Sequence, residues 1–303
     1  MENTHNNSPS SGVAGMLVSS PEESLERGEV LFYPQSPFPL PTGDDLHFLL
    51  QQQLGSRAHK NISYNPANGR VAGFARGDEG QTQRLETLFA AFSRHVTAWL
   101  TQTLPRYRDA WRLDMVSYRP QEEATRRLRH KARNDLLHVD AFPSRPTGGD
   151  RILRVFANIN PSEPRIWVTS EPFAKLLRRY GTEVGLPGSD GPGWVERLST
   201  GIRGLLRPGR PRRTTYDQFM LRFHDYLKMN EDFQERGPKR LWSFPPGSVW
   251  LAMTDTCSHA VLRGRYALEH SYFIPESALA LPKESPAALL QAACVENKTR
   301  RAA

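Results

Sequence analysis

Cysteine is scarce in this chain: two in 303 residues, Cys257 and Cys294. That excludes a disulfide scaffold and a multi-cysteine zinc module, and it suits a reducing compartment. Long hydrophobic runs are missing too, since no stretch approaches the ~18 uninterrupted apolar residues of a membrane helix. The opening segment, MENTHNNSPSSGVAG, has no basic stretch followed by an apolar one. No secretory signal is read there, and cytoplasmic residence is the expectation. Acidic residues are in deficit, 32 Asp+Glu against 40 Lys+Arg, for a net charge of +8. Such a surplus attracts anions: nucleic acid, acidic lipid headgroups, or a carboxylated or phosphorylated small molecule. Nucleic acid is the least favoured, because aromatics do not interleave with the basic runs and no helix-turn-helix or RNA-binding motif stands out. No protein partner is inferred. What is present, 38% hydrophobic residues, is enough for a core and excludes a wholly disordered chain.

The chain divides by texture. Residues 1–28 are rich in Ser, Asn, Gly and Pro and read as a disordered tail. Residues 29–290 read as a single domain and 291–303 as a C-terminal tail. Within the domain, Leu85, Leu88, Phe89, Phe92, Val96, Leu100 and Leu104 recur at helical spacing, which predicts a helical buttress over 82–104 ended by Pro105. A β-core is expected over 114–275, from DMVSYRP (114–120), LLHVDAF (136–142), RILRVFANINP (151–161), RIWVTS (165–170) and the run 239–275. Helices are expected at 171–181 and 215–234, with a basic insert at 182–213 between them. The fold class expected is mainly β, a double-stranded β-helix of jelly-roll or cupin type with flanking helices.

His138 and Asp140 are the first residues to carry chemistry. Strand side chains alternate, so these two project together and can share one metal ion. By itself a His-x-Asp is a weak signal, matched by any polar strand end. A second His, His259, opens a later strand, and Arg265 stands just beyond a turn at Arg263-Gly264-Arg265 read as a tight hairpin. Two His and one carboxylate with open positions form the triad of non-heme Fe(II) oxygenases, and an Arg pairs well with a co-substrate carboxylate.

With those residues in hand, 114–275 resembles the Fe(II)/2-oxoglutarate-dependent dioxygenases. The resemblance implies Fe(II), 2-oxoglutarate and O2 as cofactors and His138, Asp140 and His259 as iron ligands. Arg265 is the first candidate to anchor 2-oxoglutarate, with Arg154 and His270 as alternatives and Asn158 facing the same way as Arg154. Asp255 is a candidate to orient His259. More narrowly, HVDAFPSRPTGGDRILRVFANINPSEPRIWVTSEPF (138–173) and WLAMTDTCSHAVLRGRYALEHSYFIP (250–275) resemble the Kdo hydroxylase family of Gram-negative bacteria. Kdo is an acidic eight-carbon sugar of lipopolysaccharide. This implies hydroxylation at C3 of Kdo in Kdo-lipid A or a precursor. Competing readings are the same oxygenase chemistry on a nucleic acid or protein side chain, and a non-catalytic β-fold that binds acidic lipid or nucleic acid.

Two basic segments suit an anionic glycolipid. Between Arg106 and Arg133 nine Lys/Arg face four Asp/Glu, concentrated in RRLRHKAR (126–133), directly before the His-x-Asp. Arg127, Arg129 and Arg151 are the substrate-binding candidates. Residues 194–207 can form an amphipathic helix with Arg on one side, which suits peripheral contact with an anionic inner-membrane surface from the cytoplasmic side. His224-Asp225 is set aside, since adjacent helical residues point apart. Cys257 is read as a small buried residue.

Overall fold

The computed structural model describes residues 19–56, 59–187 and 213–302. Most of the basic insert, including 194–207, lies outside the described residues.

The long helix Glu79–Thr103 starts where the Asp78 side chain accepts from the Gln81 N–H at 2.7 Å. Its apolar stripe, Leu85, Phe89, Phe92, Val96 and Leu100, is buried against one face of the main sheet. Each such side chain contributes about 1.5–3 kcal/mol when fully buried. That sheet is antiparallel, with seven strands: β1 (Leu31–Tyr33), β2 (Ile62–Asn65), β3 (Arg70–Ala72), β4 (Arg112–Arg119), β5 (Arg151–Asn158), β8 (Val249–Met253) and β10 (Ala267–Ile274). Their spatial order is β1-β8-β5-β10-β4-β2-β3. A second sheet, β6 (Arg165–Pro172), β7 (Arg240–Phe244) and β9 (Cys257–Arg263), runs β7-β6-β9. These are the two layers of a jelly roll.

Strand alternation sorts β5 cleanly. Leu153, Val155 and Ala157 join the helix-side core, whereas Arg154, Phe156 and Asn158 face the interior between the layers. There Phe156, Trp167, Phe244, Trp250 and Val261 form a separate cluster, with Phe244 and Trp250 stacked at 3.9 Å. A third cluster packs the helices Phe173–Val184, Thr215–Met229 and Pro286–Ala302 behind the smaller sheet. Among the described residues no helix is long and apolar enough to cross a membrane.

Several boundaries differ from expectation. Residues 21–28 are not tail: Ser20 caps a short helix, Pro21–Glu26, whose Leu25 is buried. The Glu26 carboxylate accepts from the Tyr107 hydroxyl (2.5 Å) and the N–H groups of Ala280 and Leu281 (2.8 and 2.6 Å). Residues 291–302 continue the final helix, because Leu290, Ala293 and Cys294 pack on the third cluster. The expected helix 215–234 breaks at Asn230, whose side chain caps a second helix, Glu231–Arg236, by accepting from Phe233 N–H at 2.9 Å. Residues 136–142 form only a one-pair bridge, His138 to His259. Other backbone groups there bond to helix side chains instead, Gln234 on the N–H and C=O of Leu137 and His224 on the carbonyl of Val139. The hairpin expected at Arg263-Gly264-Arg265 is a crossing from one sheet to the other, since β9 and β10 lie in different layers. Gly264 makes that crossing at φ +119, where a Cβ would lie 3.0 Å from Arg165 Cα.

Candidate active site

His138 and His259 face each other across that bridge. The N–H of each donates to the other's carbonyl, at 3.1 and 2.9 Å, which fixes both Cα positions. The Asp140 N–H donates to Thr254 C=O at 2.7 Å, pinning the third residue. All three side chains are buried, and their candidate ligand atoms lie within 4.8 Å of one another.

The ring tautomers follow from the hydrogen bonds. His138 Nδ1 lies 2.7 Å from Leu136 C=O and His259 Nδ1 lies 2.9 Å from Cys257 C=O. A carbonyl only accepts, so each Nδ1 carries the proton and each Nε2 keeps its lone pair. Burial pushes both rings below the ordinary imidazole range, which keeps them neutral at pH 7. Burial opposes ionisation of Asp140, but the Arg154 guanidinium 3.3 Å away and His138 overcome it and hold the carboxyl well below the usual range. Two imidazole nitrogens and one carboxylate oxygen on one side of a buried space are the donor set a divalent iron takes with open positions left over.

Around this cluster four guanidinium groups share three carboxylates. Arg119 forks onto Glu269 at 3.0 and 2.9 Å, Arg154 bridges Glu269 (3.2 Å) and Asp140, and Arg119, Arg126 and Arg165 converge on Glu123 at 3.6–3.7 Å. Three buried donors here have no hydrogen-bond partner among the described residues: Arg154 Nε, Arg165 Nε and Trp167 Nε1. Trp167 stacks on His259 with centroids 5.1 Å apart at 18°. A buried donor left unpaired costs about 1–3 kcal/mol, so a cluster of them beside a metal-type site fits a bound anion.

The other expected residues are not brought into this space. Arg265 is exposed, with its guanidinium 4.5 Å over the Tyr266 ring, because the crossing turns it outward. His270 lies on the helix side of β10, its Nε2 2.8 Å from Ser93 Oγ. The Asn158 amide is spent on a turn, donating to Glu163 and Phe244 carbonyls and accepting from Asn160 N–H. Arg151 is fully buried away from substrate access, paired with Asp255 at 2.7 Å and donating to Thr256 Oγ1. Asp255 therefore serves Arg151, and backbone carbonyls orient the two His. Arg127 and Arg129 are exposed on the segment before His138. Arg154 alone of the anchor candidates stands beside the cluster.

The sequence reading set His224 aside, yet its ring lies 4.8 Å from His138 at 76° with Nδ1 against the Val139 carbonyl. That reading missed Arg119, Arg165 and Trp167. Inward alternation on β4 and β6 was the available signal, but it needed the sheet assignment first.

Jelly-roll layers carrying a buried two-His, one-carboxylate cluster define the class, the non-heme iron dioxygenase type of β-fold. Comparison gives the family. The model of the 3-deoxy-D-manno-oct-2-ulosonic acid (Kdo) hydroxylase family matches residues 17–297. A crystal structure of the Kdo hydroxylase KdoO, described as a non-heme Fe(II) alphaketoglutarate-dependent dioxygenase and holding alphaketoglutarate and Fe(III), is 36% identical. It covers 90% of this chain and 88% of its own, with a TM-score of 0.78. The apo structure of KdoO is 37% identical over the same shares, with a TM-score of 0.79. Comparison with curated protein sequences gives no significant match. The chain belongs to the Kdo hydroxylase family.

Proposed function

We propose that this chain is an Fe(II)- and 2-oxoglutarate-dependent dioxygenase that hydroxylates C3 of Kdo in Kdo-lipid A or its precursor. His138 and His259 would hold the metal through Nε2, and Asp140 through a carboxylate oxygen. Bound iron, with 2-oxoglutarate and O2, supplies the oxidation that turns a C–H bond into C–OH and releases succinate and CO2. The protein's part is orientation and exclusion. The two Nδ1–H bonds to carbonyls keep both rings aimed and neutral. Arg154, held between Asp140 and Glu269, has an Nε–H to offer a co-substrate carboxylate, and Arg165 Nε and Trp167 Nε1 around the same cluster are likewise buried without a partner among the described residues. The Phe156, Trp167, Phe244 and Trp250 cluster closes that end to water.

The substrate is a membrane-embedded anion on this reading. Exposed Arg127, Arg129 and Lys131, next to the site in sequence, suit its negative groups and an anionic bilayer at the cytoplasmic face of the inner membrane. The observation that carries the proposal is the His-Asp-His cluster with adjacent buried, unpaired donors. Succinate release tests it. The iron-loaded protein is expected to form succinate when given Kdo-lipid A, and His259→Ala to lose at least about 100-fold, since a ligand is removed. Succinate formation unaffected by Kdo-lipid A, with other anionic acceptors active, would transfer the chemistry to a different substrate.

A further inference from the structure

Lys228 is a further buried cation near the cluster; among the described residues it makes no ion pair, and Asp140, Asp225 and Asp135 act on its charge only from a distance. It is 2% exposed near the end of the Thr215–Met229 helix. Its Nζ donates to the Lys131 carbonyl at 3.1 Å. The carboxylate nearest in sequence, Asp225, pairs with Lys131 instead, at 2.7 Å. An ammonium taken out of water without a counter-ion costs several kcal/mol, so its retention calls for a reason.

Its position supplies one. His224 lies one helical turn earlier, and residues four apart share a helix face; the His224 ring packs on His138. The Lys228 charge depresses His138, His224 and His259 alike, and Asp140 acts back on it. Burial first, and then Lys60, bring the Lys228 amine down to about 8. Lys60 is exposed, on the loop before β2, and Arg126 holds its carbonyl at 3.1 Å. Like Lys228 it feels Asp140, and it too has no ion pair among the described residues. Two ammonium groups from separate elements thus repel one another beside the cluster. The helix end is tied there by His130 Nε2 on the Lys228 carbonyl, at 2.9 Å. The guanidinium groups nearby pair with Glu123, Glu269 and Asp140, whereas Lys60 and Lys228 make no ion pair among the described residues.

We propose that Lys228, with Lys60 at the rim, recognises the substrate's own carboxylate and so sets which carbon faces the metal. The inference rests on the function proposed above. In a 3-deoxy-oct-2-ulosonic acid the carboxylate is C1 and the deoxy carbon is C3, both bonded to C2. A cation fixed on C1 therefore fixes C3 as well. The co-substrate and the sugar acid are two different anions, met by two different cation sets.

The test pairs a protein variant with a substrate variant. Wild-type protein is compared with Lys228→Met and Lys60→Ala on two acceptors: a Kdo glycolipid, and the same glycolipid with C1 as a neutral carboxamide. Wild type is expected to favour the carboxylate in kcat/KM by roughly 10- to 100-fold, the range of a charged hydrogen bond. Lys228→Met is expected to lose most of that preference, with KM for 2-oxoglutarate unchanged. Lys60→Ala, at an exposed position, is expected to lose part of it. A merely structural lysine would lower turnover of both acceptors together and keep the preference, and that result overturns the proposal. Wild-type turnover with the preference intact in both variants sinks this inference alone, whereas absence of wild-type turnover sinks the proposed function with it.

Discussion

At the scale of single residues, the site is decided by which atom each side chain has already committed. The two His give Nδ1 to carbonyls and keep Nε2. Arg265 gives its face to Tyr266, Arg151 its charge to Asp255, and His270 its Nε2 to Ser93. Arg154 keeps an unpaired Nε–H beside Asp140. Arg154→Gln is therefore expected to raise KM for 2-oxoglutarate roughly 10- to 100-fold, the loss of a charged hydrogen bond. Arg265→Gln is expected to change it less than about twofold. Initial rates against 2-oxoglutarate concentration check both, and the reverse ranking would return the anchor to Arg265. The grouping of His138 with Asp140 was legible in the sequence because alternation in extended chain is local geometry. The fate of Arg265 was not, because it depends on whether β9 and β10 pair or part.

At the scale of elements, β10 and the Glu79–Thr103 helix show how a polar contact is built into an apolar interface. His270 is fully buried between them, and burial pushes its ring down to about 3. The ring is neutral when folded and takes a proton near 6.5 when unfolded. Below pH 6.5 the unfolded chain then binds more protons, so stability falls as pH falls from about 6.5 toward 3. Between pH 7 and pH 5 this one ring accounts for about 2 kcal/mol. Urea unfolding of wild type and His270→Gln at both pH values checks it: the variant is expected to lose less stability on acidification, and an identical loss would remove His270 as a source. The element boundaries divide the same way. The long helix followed from its apolar stripe, and β4, β5 and β6 from β-rich runs set apart by Pro and Gly. Residues 136–142 did not follow, because side chains from two helices take the bonds a neighbouring strand otherwise makes. The break at Asn230 and the helices at 21–26 and 291–302 depend on partners distant in sequence.

At the scale of the whole molecule, the fold keeps two interiors apart. One face of the main sheet is sealed by a long helix and carries no chemistry. The space between the layers is apolar at one end, around Trp167 and Trp250, and crowded with charge at the other. There the four guanidinium groups, with Lys60 and Lys228 near them, outnumber the carboxylates of Glu123, Glu269 and Asp140. That excess makes sense if two anions enter, a co-substrate and an acidic sugar. The most direct measurement is mass spectrometry of the Kdo-lipid A core from Gram-negative cells that lack Kdo hydroxylation and express either the wild-type chain or His138→Ala. The account predicts a Kdo fragment heavier by one oxygen in wild type and absent with the variant. An unshifted fragment in cells holding soluble, iron-loaded wild-type protein, or a shift that survives His138→Ala, would contradict it.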